Sequence, residues 1–334
     1  MGVYTASPFL GPVLGPIISG ERSCITVSPL LASDLLLCLT GFINEHLYWR
    51  WTWRVFLCWS GLVLGLIIFL VPETFLPRLL KVKAKKLRKS GRITVQSPMD
   101  LDQRSIPNVI LKSCTTPFAI GATEPMAVVL CVWTSLLLGI LYVFFSAFGR
   151  VYGDYGFSRQ EIGLTFIGLG VGIVAGVSAH PIWAGYYRRV TEATGKRPPP
   201  EEHLRKGLYG AVLCPLSLFW FAWTTANYVS TPWPSLVSTI PFGLGLCWSF
   251  QAVFVYMVDA YRPVAASAMS LNSAMRSTFA CVFPLFSPYM FDRLGNAWAL
   301  SLCAFLLLAI VPFPFLFFKH GHKYRSNSRF ANTA

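Results

Sequence analysis

Eight runs of bulky apolar residues, each near 20 long, dominate the chain; they lie near 3–20, 55–71, 125–148, 162–187, 208–228, 234–258, 265–290 and 296–318. A helix of about 20 residues crosses a hydrocarbon core of about 30 Å. Backbone groups in lipid must find partners within the chain, which leaves helices and closed barrels. The runs are too long and too uniformly apolar for alternating barrel strands. Charged residues make up 13% of the 334 residues, and mean hydropathy is +0.54. A soluble domain carries about 25% charged residues. An all-α, multi-pass integral membrane protein is expected, with the lipid bilayer as its first partner.

The net charge of +14 raises the question of nucleic acid. Its placement answers otherwise, because Lys and Arg sit in the segments between apolar runs, as a topology signal does. Segment 72–124 holds ten of them, among them Lys81, Lys83, Lys85, Lys86, Arg88 and Lys89. Segment 188–206 holds six, the tail 319–334 four, and the 259–264 turn has Arg262. Intervening segments are poorer, with Arg150 and Arg159 in one, none in 229–233 and Arg293 in another. The rich segments are expected to face the cytoplasm. Of the nine cysteines, six (Cys58, Cys131, Cys214, Cys247, Cys281, Cys303) lie in apolar runs, and no CxxC occurs. They read as small apolar fillers, and neither metal nor cofactor is expected.

Segment 72–124 divides the chain. It carries Pro72, Pro77, Pro98, Pro107 and Pro117 besides its charge, and reads as a central cytoplasmic loop between two bundles. A stretch that only fixes topology or binds anionic lipid is the plainer alternative. The expected organisation is a first bundle in 1–71, the loop 72–124, a six-helix bundle in 125–318 and a tail 319–334.

Three stretches go beyond hydropathy. In Gly11-Pro-Val-Leu-Gly15-Pro16-Ile-Ile-Ser-Gly20, Gly11 and Gly15 share a helix face that a neighbour can approach closely, and the prolines kink the helix. Trp49-Arg-Trp-Thr-Trp-Arg54 opens a run that ends in Pro72-Glu-Thr-Phe-Leu-Pro77-Arg78. The third stretch covers 117–330. It includes Thr123-Glu124-Pro125, Gly153-Asp-Tyr-Gly-Phe157, Gly195-Lys-Arg-Pro-Pro-Pro-Glu201, Phe219-Trp-Phe-Ala-Trp223, Tyr256-Met-Val-Asp259-Ala-Tyr261, Asn272 to Arg276 and Leu294-Gly-Asn-Ala-Trp298. In this order the motifs resemble the fungal polyamine- and multidrug-type drug:proton antiporters of the major facilitator superfamily. The Gly-Pro stretch resembles the antiporter motif of that family's fifth span, and the Trp/Arg stretch the entrance of its sixth.

The resemblance implies a twelve-span fold in two six-span halves, exporting small organic compounds (a drug, a polyamine or a secondary metabolite) as protons move inward. It implies that this chain supplies the fifth and sixth spans and the whole second half, without spans one to four. It favours the plasma membrane over the vacuole, and a monomer. The alternative is a truncated, non-transporting remnant or a misassembled gene model of such a transporter. An enzyme is not expected, since no span carries a His or acid cluster of catalytic spacing. No Gly-rich loop ending in Lys-Ser/Thr is present, so ATP drive within the chain is not expected either.

A charge deep in a membrane helix is costly and marks a functional candidate. Arg276 lies eleven residues into its run, roughly 16 Å at about 1.5 Å per residue. Asn272 lies four residues earlier on the same face. Both are transport-path candidates, with a helix–helix tie as the alternative for Arg276. Asp259, with Arg262 three residues on, reads as a gate or structural ion pair, or as a proton carrier. Glu124 precedes Pro125 and reads either as a helix cap or as a proton-coupling acid. Gln251, two turns from Asp259, is a cavity candidate. Trp220, Trp223, Trp248 and Tyr256 offer rings to a substrate, or to packing and the lipid interface.

Residues 21–40 interrupt the pattern. Glu21, Arg22 and Asp34 make a poor span, and Pro29 and the length make a poor short loop. Without 21–41, Gly20 runs directly into Phe42-Ile-Asn-Glu, which suits the family pattern, so an unspliced insert is expected; a genuine outer loop is the alternative.

Overall fold

A computed structural model describes residues 106–157, 159–195, 199–225, 229–326 and 328, with isolated positions between Arg50 and Lys85. The expectations for Gly11, Gly15, Pro16, Gly20, the 21–40 insert and the 72–78 motif fall outside the described residues, and of the 49–54 motif only Arg50 and Arg54 are described. Residues His46–Thr115 form one compact unit, and Met1–Glu45 with Thr116–Ala334 another. The bundle described below belongs to the second.

The described elements are α1 (Ile106–Thr123), α2 (Pro125–Asp154), α3 (Arg159–Ser178), α4 (His180–Thr194), a short 3-10 turn (Pro200–His203), α5 (Leu204–Trp223), α6 (Trp233–Ala260), a second turn (Arg262–Val264), α7 (Ala265–Ile310) and α8 (Pro312–Ser326). Helix α1 lies within the segment read from sequence as loop. Pro107 sits in its first turn, where a missing N–H costs nothing. It stops at Glu124 (φ −112°, ψ 84°), because a residue before proline is pushed out of the helical region. Pro181 likewise sits at the start of α4, just after the break at Ala179.

Among the described residues, four helical stretches are long and apolar enough to span a membrane: Pro125–Asp154, Leu164–Ala193, Trp233–Ala260 and Arg262–Gly321. Helix α5 is less apolar, but its 20 residues reach about 30 Å at 1.5 Å each. The last stretch is 60 residues long, about 90 Å if straight, and it doubles back. Tyr261 at its start and Ser328 past its end both hydrogen-bond Glu124. Midway, Gly295 breaks α7 with φ 75° and ψ 168°, values open to glycine alone. At that bend Asp292 pairs with Arg150 at 2.7 Å, and Asn296 Nδ2 donates to Asp154 at 3.0 Å. Both partners lie in the last turns of α2, so the two arms of α7 and α8 run out along α2 and return.

Helices α2 and α6 form the centre. Phe144 and Phe148 of α2 meet Phe166 of α3, Phe221 of α5 and Phe242 of α6, with Phe144–Phe221 and Phe148–Phe166 centroids 4.6 and 4.4 Å apart. Helix α3 closes on α6 through Gly168, Gly172 and Gly176, spaced four apart. A side chain at Gly172 would run into the carbonyl of Ile240, so glycine alone permits this approach. Helix α5 turns Tyr209, Val212, Leu216, Trp220 and Trp223 outward, a stripe that suits lipid.

Candidate functional site

Polar groups gather in two places. The first is inside the span formed by the first arm of α7. Arg276 is half-buried, and its guanidinium lies 5.7 Å from the Phe250 ring centroid and 5.2 Å from that of Phe254, both on α6. The negative ring faces stabilise a cation that is shielded from water. Asn272, one turn earlier, is 1% exposed, and its Nδ2 donates to Thr134 Oγ1 of α2 at 2.8 Å. Its Oδ1 has no hydrogen-bond partner among the described residues. The two side chains that share a face in sequence are therefore directed to different neighbours, Arg276 to α6 and Asn272 to α2.

The second is the rim where α2 and α5 begin and α6 and α8 end. Glu124 occupies the N-cap position of α2, yet its side chain makes no cap bond. It accepts from Tyr261 Oη at 3.3 Å and Ser328 Oγ at 2.7 Å. The capping expectation is corrected: the carboxylate ties the α6–α7 turn and the tail to α2. Asp259 pairs with Arg262 at 3.0 Å, as its spacing suggests, and also with His203 Nε2 at 3.2 Å. Glu202 accepts from Tyr186 Oη at 3.2 Å, lies 3.7 Å from Arg205 Nη1, and Arg205 also donates to Tyr186. Burial, together with neighbouring Glu201, pushes the Glu202 carboxyl above its usual range. Arg325 and Glu201 pair at 3.4 Å, with both side chains 9% exposed. That pair lacks hydrogen-bond alignment at Glu201 Oε1, so its attraction is purely Coulombic.

Gln251 is 2% exposed and lies between α6 and α5, where its Oε1 accepts from Lys206 Nζ at 3.1 Å. The aromatic candidates divide. Tyr256 is buried and donates to Met126 Sδ at 3.2 Å; Trp248 donates from Nε1 to the Gly176 carbonyl at 3.2 Å and meets Trp183 edge-on. These two serve helix packing. Trp220 and Trp223 belong to the outward stripe of α5.

Sequence reading passed over Glu201, His203, Arg325 and Lys206. The first three act through partners far along the chain, which no local pattern signals. Lys206 counts as a loop charge in sequence, but α5 already begins at Leu204 and Lys206 is 3% exposed. The nearby Gly207 and Gly210 were the available signal that this turn is close-packed helix. Among the described residues no group of three His, Cys, Asp or Glu is placed to hold a metal ion.

Residues 1–282 match the Major Facilitator Superfamily. The chain is 41% identical to "Efflux pump atB" of Aspergillus terreus over 99% of its own length and 67% of that protein. It is 37% identical to "Probable drug/proton antiporter YHK8" of Saccharomyces cerevisiae, over 99% of itself and 61% of the relative. It is 36% identical to "Major facilitator superfamily multidrug transporter mdrA" of Aspergillus fumigatus, over 99% and 56%. The chain thus spans between about half and two thirds of the length of these relatives. No solved structure matches it. The relatives are named as transporters, not enzymes, and the family match takes in well over half of the chain: the chain belongs to the Major Facilitator Superfamily of multi-pass membrane transporters.

Proposed function

We propose that the protein exports small organic compounds from the cytoplasm by antiport with protons, and that this chain forms its second half with the last two helices of the first. The observation that carries the reading is Arg276, a cation held inside a membrane helix against the rings of Phe250 and Phe254 rather than at a rim. Such a charge is costly to place and is kept where transport needs it. The names of the relatives, among them a drug/proton antiporter and efflux pumps, support the direction and the coupling. Asn272 beside Arg276 lines the path. Glu124 and Asp259 work at the rim, which faces the cytoplasm by the excess of Lys and Arg around it. The plasma membrane is the proposed site, and the monomer the working unit.

The test uses the product of the full-length transcript, expressed in yeast and loaded with the dye rhodamine 6G. Arg276→Ala is expected to abolish dye efflux while leaving the protein in the membrane. Arg276→Lys is expected to be partly active, since an ammonium lacks the planar fork of donors. Wild-type efflux by the Ala variant removes Arg276 from the mechanism. Orientation is tested separately by labelling single-Cys variants at Ser97, Ser230 and Ser326 from outside the cell. Only Ser230 should react.

A further inference from the structure

Lys206 is the third residue of α5 and is 3% exposed, between α5 and α6. The helices close around it because its neighbours are glycines. A Cβ at Gly207 would stand 2.7 Å from Ala252 Cβ and 3.3 Å from the Trp133 indole. One at Gly210 would stand 2.5 Å from the Gly245 carbonyl oxygen. The approach that these glycines allow removes water from the lysine.

A protonated lysine has three donors and a full charge. The one hydrogen bond found for it goes to Gln251 Oε1 at 3.1 Å. Gln251 is itself buried, and its Nε2 donates to Cys247 Sγ at 3.2 Å. Among the described residues no carboxylate pairs with Lys206. The titratable groups that face it are the Cys247 thiol from α6 and His180 from the start of α4, whose positive form repels it. From α2 comes the apolar ring of Trp133. A buried ammonium without a counter-ion costs several kcal/mol, and the usual relief is loss of the proton.

We propose that Lys206 carries a proton in the transport cycle. The inference rests on the antiport reading above. A neutral partner suits the task. Gln251 accepts a hydrogen bond from either the ammonium or the amine, so the side chain keeps its place in both states. A carboxylate would instead hold it charged. Lysine is also a cation that burial can neutralise, whereas arginine stays charged. As α5 and α6 close to the arrangement seen here, the ammonium gives its proton to the departing water and stays as the amine; when they part, water returns and the amine takes a proton from it. No other bond changes.

The experiment reconstitutes the full-length product in liposomes and compares rhodamine 6G movement with and without an imposed pH gradient. In the wild type the gradient is expected to drive uphill dye movement. In Lys206→Arg, which keeps the charge and the donor to Gln251, uphill movement is expected to fall at least tenfold while downhill movement persists. Lys206→Gln, neutral throughout, is expected to behave likewise, and it serves as the second reading should the Arg variant fail to insert. Gradient-driven movement retained in either variant overturns the role of Lys206 and leaves the antiport reading standing. Dye movement indifferent to the gradient in the wild type overturns both.

Discussion

At the rim where α2 and α5 begin, charged side chains meet one another: Arg325 with Glu201, and Asp259 with both Arg262 and His203. Inside the span, Arg276 meets the rings of Phe250 and Phe254. Arg325 at the rim and Arg276 in the span are both cations shielded from bulk water, by different means. An ion pair binds two elements strongly but fixes them in one geometry. A ring face attracts a cation more weakly and over a broader range of positions. Strong, fixed contacts suit an end that holds helices together, and weak, tolerant ones suit a group that must change neighbours. The pairs made by Glu201 and His203 tie the Pro200–His203 turn to α8 and α6, so they join elements distant in sequence. The ring contacts of Arg276 join α7 to its sequence neighbour α6.

This contrast can be broken by experiment. The largest effect on stability is expected from Glu201→Ala, which leaves Arg325 buried and unpaired. A loss of about 3 kcal/mol, the lower end for a broken buried pair, should appear as a fall in the unfolding temperature in detergent. A second substitution, Arg325→Leu, should recover much of it. If Glu201→Ala leaves the protein as stable as wild type, the rim does not hold the bundle together. Arg276→Ala should cost only about 1 kcal/mol of stability, although transport is lost; a cost equal to that of Glu201→Ala would make Arg276 a tie instead. Arg262→Ala should cost less still, about 0.5 kcal/mol, because its side chain is 44% exposed and His203 still pairs with Asp259. Added salt should erase that difference.

The smallest effect concerns pH and sharpens the picture of the rim. The Glu202 carboxyl is pushed up by burial and by Glu201, so the folded state disfavours its charged form. Its contribution to stability is present below the usual carboxylate range and is lost as pH rises through its raised value. Glu202→Gln should flatten this slope in unfolding measurements from pH 4 to 7. An unchanged slope would assign the pH dependence to another rim group.

Much of the fold was legible in the chain itself. Run length and uniform apolarity dictate helices that cross a membrane, because unpaired backbone groups are too costly in lipid. The spacing of Asp259 and Arg262 already placed them on one turn, and they pair at 3.0 Å. Arg276 stood out because a charge inside an apolar run is expensive wherever that run packs. The tertiary structure alone decided which partners these groups found. Glu124 sits where a cap would, yet residues 137 and 204 positions away claim its carboxylate. Lys206 and Arg325 read as loop and tail charges, and both are buried once α5 closes on α6 and α8 returns to Glu201. A sequence carries the cost of burying a group; which neighbour offsets that cost depends on helices that meet only when the chain has folded back on itself.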